Sequence, residues 1–157
     1  MNPKISDIEE LKRRLAQWRV KSDRIVFTNG CFDILHVGHL HTLKESIQLG
    51  DKLIVGLNSD ASVSRLKGKE RPVVNQLDRS EMLAALEMVD AVIIFEDDTP
   101  EELIQMIKPD VLCKGGDWSI ENIVGGDFVK SYGGQVVSIP FVQGYSSSSL
   151  INKIKSL

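Results

Sequence analysis

Residues 28–39 read Thr28-Asn-Gly-Cys-Phe-Asp-Ile-Leu-His-Val-Gly-His39, and this stretch decides how the chain is interpreted. The run Arg24–Thr28 at its start is rich in β-forming residues and predicts a strand that ends in a turn at Asn29-Gly30. Polar and apolar positions with helical spacing begin near His36. The stretch therefore predicts a connection from a strand to the start of a helix.

Two imidazoles lie at the predicted start of this helix. His36 and His39 are three residues apart, so on a helix they share one face. Free backbone N–H groups and the helix dipole favour an anion in the first turn, and Gly38 leaves room for a phosphate to approach the backbone. A simply capped helix start is the alternative for so short a motif. A metal centre on the pair is not expected, because neither a Cys nor the third histidine, His41, is placed to complete a ligand set.

Composition places the chain among globular proteins with one domain. It has 157 residues, a length that suffices for one domain with its own core over residues 1–157. Its content of 42% hydrophobic and 26% charged residues is ordinary for such a protein. The formal charge of −3 argues against a nucleic-acid partner, so an anion site must be local. Cys31 and Cys113 form no C-x-x-C pair, and Cys31 is expected to be a small buried filler. The absence of a signal peptide or a long apolar run predicts a cytoplasmic protein with no membrane partner.

Strand-like and helix-like segments alternate along the chain. Five short runs rich in Val and Ile have the character of strands buried on both faces: Arg24–Thr28, Lys52–Leu57, Ala91–Phe95, Asp110–Lys114 and Gln135–Ile139. Helices are indicated at four further places: a capping box at Ser6–Glu9, starts at Asp78–Glu81 and at Thr99–Glu102 with Pro100 as first helical residue, and Ser148–Lys155. The predicted fold is α/β, a Rossmann-like, doubly wound, parallel five-stranded sheet with helices on both faces. An N-terminal helix occupies residues 1–20 and the core residues 24–155.

Four loops are expected to meet at one edge of this sheet, because ligands in such folds bind beyond the carboxyl ends of the strands. They are Thr28–His39, Asn58–Asp60, Gly115–Trp118 and Pro140–Ser149. Asp117 could accept from a ribose hydroxyl and Trp118 could cover a base, with a tight turn and a packed Trp as the alternative. Serines 146–149 offer hydroxyls and free N–H groups to an anion, although one serine would suffice as a helix cap.

Cations cluster in one further loop, which reads Lys67-Gly-Lys-Glu-Arg71. A mobile cationic loop could close over phosphates, and a solvated charged loop is the alternative. Arg79 is predicted in the first turn of the next helix, where a cation opposes the dipole. An anionic ligand would explain that arginine, and so would simple exposure to solvent.

The longer string of residues 30–39, G-x-F-D-x-x-H-x-G-H, resembles the signature of the cytidylyltransferase-like nucleotidyltransferases. Within that superfamily the chain is most similar to the adenylyltransferase domain of the bacterial ADP-heptose synthesis enzymes, over about residues 24–155. The matching pieces are Phe27–His39, Gly56–Asp60, Arg79–Asp90, Asp98–Pro100, Lys114–Asp117, Ile123–Gly125 and Gly144–Ser146. That domain is often fused behind a sugar kinase, and this chain resembles the stand-alone form, a single nucleotidyltransferase domain.

The resemblance implies a reaction in which D-glycero-D-manno-heptose 1-phosphate attacks the α-phosphorus of ATP. The products are ADP-heptose, a precursor of lipopolysaccharide or surface glycans, and pyrophosphate. Mg²⁺ is expected to enter with the triphosphate, a separate heptose kinase to act upstream, and the protein to be a homo-oligomer, dimeric or larger. The implied catalytic residues are His36, His39, Lys67 and Lys69. The implied nucleotide contacts are Thr28, Asn29, Gly30, Phe32, Asp33, Gly38, Arg79, Gly115, Asp117, Tyr145, Ser146, Ser147 and Ser148, and the implied contacts to the sugar phosphate are Asn58 and Asp60.

One position departs from the cytidylyltransferases of this group. They carry R-T-x-G-I-S-T before the last helix, and here Phe141 stands in place of the arginine. This disfavours a glycerol-phosphate cytidylyltransferase and fits the heptose group. An enzyme of the same fold acting on glycerol 3-phosphate, an alcohol phosphate or FMN remains an alternative. A non-catalytic nucleotide-binding module is another, which the histidine pair disfavours because binding alone needs only backbone N–H groups.

Overall fold

The computed structural model describes residues 1–157 and has one sheet of five parallel strands. The strands are β1 (Ile25–Gly30), β2 (Lys52–Asn58), β3 (Ala91–Phe95), β4 (Val111–Gly115) and β5 (Gln135–Ile139). Their order across the sheet is β3-β2-β1-β4-β5. In the central strand, Phe27 pairs with Ile54 of β2 and with Leu112 of β4. The predicted Rossmann-like α/β fold is confirmed.

Helices cover both faces of the sheet and enclose two apolar cores. They are α1 (Ile8–Val20), α2 (Val37–Ile47), α3 (Asp60–Lys67), α4 (Gln76–Ala84), α5 (Glu101–Ile107), α6 (Gly126–Ser131) and α7 (Ser147–Lys155), with a short 3₁₀ turn at Ile120–Asn122. Phe27 packs into one core and its neighbour Val26 into the other, since successive side chains of a strand point to opposite faces. None of the helices has the length and apolar character needed to cross a membrane.

The N-terminal helix packs on the protein's own sheet. Leu11 and Leu15 of α1 are buried in the same core as Phe27. The predicted capping box at Ser6 is wrong by one residue, because Asp7 is the cap and accepts a hydrogen bond of 2.8 Å from the Glu10 N–H. Ser6 instead donates its N–H to the carbonyl of Val92, which extends the edge of the sheet beside β3.

Three other boundaries differ from the prediction. Strand β1 continues through Asn29 and Gly30, which pair with β2 instead of forming a turn. Helix α4 begins three residues early, because Asn75 is its cap and accepts from the N–H of Asp78. Pro100 is the residue before α5 and not its first helical residue.

The order of the strands places a crevice above β1. From β1 the chain proceeds outward to β2 and β3, and it then returns to the other side of β1 to form β4 and β5. The carboxyl ends of β1 and β4 therefore flank the point where the winding reverses, which is the usual ligand position in open α/β sheets. Residues 28–39 leave the sheet at this point.

Candidate active site

The two motif histidines form one stacked unit. Their ring centroids are 3.8 Å apart and the ring planes differ by 24°. His36 is the N-cap of α2, with extended backbone, and only His39 lies in the first turn. The Nδ1 atom of His36 accepts from the Gly38 N–H at 3.1 Å, and the Nδ1 atom of His39 accepts from the His36 N–H at 3.2 Å. Each ring thus satisfies a backbone donor and fixes the other in place.

These hydrogen bonds determine which nitrogen of each histidine carries the proton. A neutral imidazole whose Nδ1 accepts must hold its proton on Nε2. Burial lowers the pKa of His36. Burial, with a smaller contribution from the neighbouring His36, lowers the pKa of His39 to about 4, although Asp33 acts in the opposite direction. At neutral pH both rings of the free protein therefore present an Nε2–H donor.

Gly38 is required by the packing of this unit. A Cβ atom there would lie 2.9 Å from Cε1 of His36 and 3.0 Å from Cβ of Tyr145. Its N–H is already bonded to His36. The predicted open approach of a phosphate to the backbone at Gly38 is therefore wrong, since the imidazole occupies that place.

We expect the His39 imidazole to stay neutral in the folded protein until the pH falls to about 4. Its ordinary pKa is 6.5, so below that pH the unfolded chain takes up a proton that the folded chain does not. The contribution of His39 to stability is thus complete above pH 6.5 and is lost progressively as the pH falls toward 4. ¹⁵N NMR of the imidazoles checks this prediction, and a His39 ring that titrates near its ordinary pKa would contradict it. A bound triphosphate should raise the pKa, because anions favour the charged ring.

A cavity of about 500 Å³ lies beside the histidine pair at the carboxyl edge of the sheet. It collects residues from the ends of β1, β2 and β4 and from the start of α7, as the four predicted loops require. The predicted site residues that line it are Asn29, Gly30, Phe32, Asp33, His39, Asn58, Lys67, Ser146, Ser147 and Ser148. The predicted site residues outside the lining are Thr28, His36, Gly38, Asp60, Lys69, Arg79, Gly115, Asp117 and Tyr145.

Asp33 fastens the cationic loop to the motif. Its side chain is fully buried, and one carboxylate oxygen accepts from Nε of Arg71 at 2.7 Å. The same carboxylate accepts from the N–H groups of Val73 and Val74 at 2.9 and 3.0 Å. Burial alone would raise the pKa of Asp33, but these three hydrogen bonds outweigh it and hold the pKa below its usual value. The carboxylate is therefore committed to the protein, and only the remainder of the residue borders the cavity.

Arg79 has a different role from the predicted nucleotide contact. The early start of α4 turns its side chain inward, and the residue is only 2% exposed. Its guanidinium donates to the carbonyls of Val74, Cys31 and Asn58 at 2.7–2.9 Å and to the carboxylate of Asp60 at 2.8 Å. Arg79 is thus neither a solvent-exposed cation nor available to a ligand. It joins the loops that follow β1 and β2.

The other predicted site residues outside the lining lie within the sheet, at the surface or beside the histidine pair. Thr28 is 1% exposed within the sheet. A Cβ on Gly115 would lie 2.9 Å from Cγ2 of Thr42, so helix α2 passes close to this glycine. Lys69 and Asp117 are exposed at the surface. Tyr145 borders the histidine unit, with its ring stacked 6.4 Å from that of His36.

The serines before α7 divide their tasks. Ser146 caps the helix and accepts from the Ser149 N–H at 2.9 Å. Ser147 donates its hydroxyl to the backbone carbonyl of Asp33, which ties α7 to the motif. Ser148 lines the cavity. Ser146 is thus the predicted cap, Ser147 and Ser148 contact the motif and the cavity, and the Ser149 hydroxyl is paired with that of Ser146.

Sequence reasoning assigned no site role to several residues that line the cavity. Lys114 and Cys31 are two of them, and Cys31 is partly exposed and not the buried filler that was expected. The segments 98–100 and 122–124 form much of the remaining wall, where Asp98 also pairs with Arg65 at 2.8 Å. The segment 98–100 follows β3. The rule that ligands bind beyond the carboxyl ends of the strands could therefore have identified it, as it identified the loops after the other strands.

Comparison with known families places most of the chain in one group. The family model described as Cytidylyltransferase-like matches residues 27–152. The bifunctional protein HldE of Magnetococcus marinus is 47% identical over 153 residues, and that of Methylobacillus flagellatus is 51% identical over the same length. These matches cover 98% of this chain and 31% of each relative, so the chain spans less than a third of the length of the curated relatives.

Solved structures show the same fold. The lipopolysaccharide core biosynthesis protein from Thermoplasma volcanium is 30% identical with a TM-score of 0.64, over 77% of this chain and 99% of that one. The pantoate-beta-alanine ligase from Francisella tularensis, solved with beta-gamma ATP and beta-alanine, has a TM-score of 0.64 at 16% identity, over 98% of this chain and 78% of that one. At that identity the second likeness shows the fold alone.

Proposed function

This chain belongs to the cytidylyltransferase-like family, and on that premise we propose that it is a nucleotidyltransferase that joins a sugar 1-phosphate to ATP. The proposed acceptor is D-glycero-D-manno-heptose 1-phosphate, and the products are ADP-heptose and pyrophosphate. The choice of ATP and heptose rests on the motif pieces that resemble the bacterial ADP-heptose adenylyltransferase domain. The relatives named HldE and the lipopolysaccharide core biosynthesis protein of Thermoplasma volcanium support the same choice.

The stacked histidine pair carries this proposal. Both rings hold their proton on Nε2 because both Nδ1 atoms accept from backbone donors. A module that only binds nucleotide needs no such arrangement, since backbone N–H groups at a helix start already bind phosphate. His39 lines a cavity of about 500 Å³ and His36 is stacked against it, so two fixed donors at this place suit a reaction in which charge accumulates on phosphoryl oxygens.

The reaction needs positioning and charge stabilisation more than proton transfer. The phosphate oxygen of the acceptor is already anionic, so it can form the new bond to the α-phosphorus without a strong general base. The bond from that phosphorus to the bridging oxygen breaks, and pyrophosphate leaves with the electron pair. His36 and His39 would donate from Nε2 to the triphosphate as charge develops, and Lys67 at the cavity wall would add a positive charge.

Magnesium fits this scheme as part of the nucleotide substrate. No group of three or more His, Cys, Asp or Glu side chains lies together in the structure where it could hold a metal ion. The one fully buried carboxylate near the motif, that of Asp33, is already bonded to Arg71 and two amides. Mg²⁺ usually keeps several waters and binds through substrate phosphates, and it would lend positive charge to the triphosphate in that form.

The supply of substrate and the assembly of the protein are also proposed. A separate sugar kinase would make the heptose 1-phosphate, and the protein would act as a homo-oligomer. Asn58 lines the cavity, but the residue is only 4% exposed and its side-chain amide donates to Oγ of Ser62 at 3.0 Å. Asp60 is held by Arg79. The sugar is therefore expected to depend on neighbouring wall residues such as Asp98 and Thr99 for most of its contacts.

Pyrophosphate release tests the proposed function. Purified protein with Mg²⁺ is given each of the four ribonucleoside triphosphates and a panel of phosphorylated acceptors. We expect release only with ATP and heptose 1-phosphate. Release with CTP and glycerol 3-phosphate would show that the substitution at Phe141 does not exclude cytidylyl transfer. No release with any pair, with ATP binding intact, would contradict the proposed enzyme and favour a binding module.

A further inference from the structure

Lys114 is a cation that lines the cavity and lies outside the histidine motif. It is the fourth residue of β4, next to the central strand β1, and it borders the same cavity as His39 and Lys67. Its Nζ atom donates to the backbone carbonyl of Asn29 at 3.3 Å. The side chain thus crosses from β4 to the point where the motif begins.

Lys114 has no carboxylate partner. Arg71 and Arg79, the other largely buried cations at this edge of the sheet, are paired with Asp33 and Asp60, and no salt bridge of the protein includes Lys114. An ammonium group has three N–H donors, and one hydrogen bond to a carbonyl leaves two of them without a protein acceptor. A cation in a partly desolvated site is costly unless an anion compensates it.

The surroundings of Lys114 make that deficit larger. Burial lowers the pKa of Lys114, and nearby Lys67 lowers it further, while Cys31 has the opposite effect. Lys67 and Lys114 line one cavity, neither forms a salt bridge, and their like charges repel each other in the free protein. An anionic ligand between them would relieve this repulsion, so the pair is suited to phosphate.

The neighbours of Lys114 indicate which phosphate it meets. Its Nζ atom contacts the carbonyl of Asn29 in the motif and lies 6.0 Å from the ring centroid of Trp118. Consider a nucleotide whose nucleoside packs against Trp118 and whose terminal phosphates bind at the histidines. The group that links its nucleoside to its terminal phosphates would then lie at Lys114. That group is the α-phosphate.

We propose that Lys114 is a catalytic residue that binds a non-bridging oxygen of the α-phosphoryl group and stabilises the charge it gains during transfer. The inference rests on the proposed nucleotidyl transfer. The acceptor's phosphate oxygen bonds to the α-phosphorus, the bond to the bridging oxygen breaks, and pyrophosphate takes the electron pair. Lys114 remains protonated throughout and acts by its charge and hydrogen bond.

The first arm of the test is kinetic and uses Lys114→Met, which keeps a long apolar stem without the charge. We expect kcat to fall by about 10²- to 10³-fold, with a much smaller change in KM for ATP. The two diastereomers of ATPαS give the specific readout. In the wild-type protein, one diastereomer places sulfur where Lys114 would bind an oxygen, and that diastereomer should react more slowly. Lys114→Met removes this contact, so the ratio of the two rates in Mg²⁺ should change by about 10-fold.

The second arm is binding and does not require turnover. AMP and adenosine differ only by the α-phosphate, so we expect Lys114→Met to weaken AMP by about 10-fold and to leave adenosine unchanged. Lys52→Met is the matched control, because Lys52 is also a strand lysine beside a tryptophan ring, 5.8 Å from that of Trp18, but it does not line the cavity. The control should change neither affinity.

The outcomes separate this proposal from the proposed function. Unchanged AMP affinity and an unchanged ATPαS ratio in Lys114→Met would overturn the role of Lys114, even if kcat fell through a disturbed fold. A wild-type protein that transfers to no acceptor would overturn the function. In that case a selective loss of AMP binding in the variant would still support an α-phosphate site at Lys114, and equal loss of AMP and adenosine would refute it.

Discussion

Replacing His36 by asparagine is expected to lower kcat by about 10²- to 10³-fold while ATP affinity falls by less than about 10-fold. Asparagine is a good helix N-cap, so its side-chain oxygen can take the place of the His36 Nδ1 atom that accepts from the Gly38 N–H. It has no counterpart to the Nε2–H donor. The variant therefore removes the proposed catalytic donor and keeps the start of α2. Pyrophosphate release and equilibrium binding of ATP measure the two effects separately.

His41→Asn is the matched control for this variant. His41 lies on the same helix α2 but belongs neither to the stacked histidine pair nor to the cavity lining, so both kcat and ATP affinity should stay close to the wild-type values. Equal losses of turnover and ATP affinity in His36→Asn would assign the ring to ground-state binding and contradict its catalytic role. His36→Ala should combine the catalytic loss with a loss of stability of about 1 kcal/mol from the missing cap.

Replacing Arg79 by methionine is expected to lower the free energy of unfolding by about 3–5 kcal/mol. The guanidinium is buried and donates to three backbone carbonyls and to the carboxylate of Asp60. Methionine fills much of the same space but leaves these acceptors without a donor. Urea denaturation should show a lower midpoint with little change in the slope, because the surface exposed on unfolding is similar.

Arg13→Met is the control for the change in charge. Arg13 pairs with Glu10 on the exposed face of α1, and a surface pair of this kind contributes about 0–1 kcal/mol. A loss in Arg79→Met no larger than that in Arg13→Met would refute the structural role given to Arg79. If a fully folded Arg79→Met variant lost most of its affinity for ATP, Arg79 would be a nucleotide contact, contrary to what its burial implies.

The sequence determined the fold because its signals are local. Alternating apolar strands and helices imply a parallel sheet, and all five predicted strands are present with boundaries within two residues. The motif of residues 28–39 also identified the place of the cavity, since a strand–loop–helix connection at the carboxyl edge suffices for that. Boundaries were less secure where two caps compete, as with Ser6 and Asp7, because both residue types can accept from the helix N–H groups.

Only the tertiary structure decided what individual polar side chains do. Arg79 and Asp33 had the residue types of ligand contacts, yet both are bonded within the protein. Apart from the nearby carbonyl of Val74, the partners of Arg79 are 19 to 48 residues away in the chain. The partners of Asp33 are 38 to 41 residues away. The sequence match included Lys114 without giving it a role, and its lack of a carboxylate partner is visible only when β4 lies beside β1. Hydrogen bonds and burial of charge depend on which distant segments meet, whereas strand and helix signals depend on the spacing of neighbours. The sequence alone therefore located the site, and the packed structure determined which of its charges are available to a substrate.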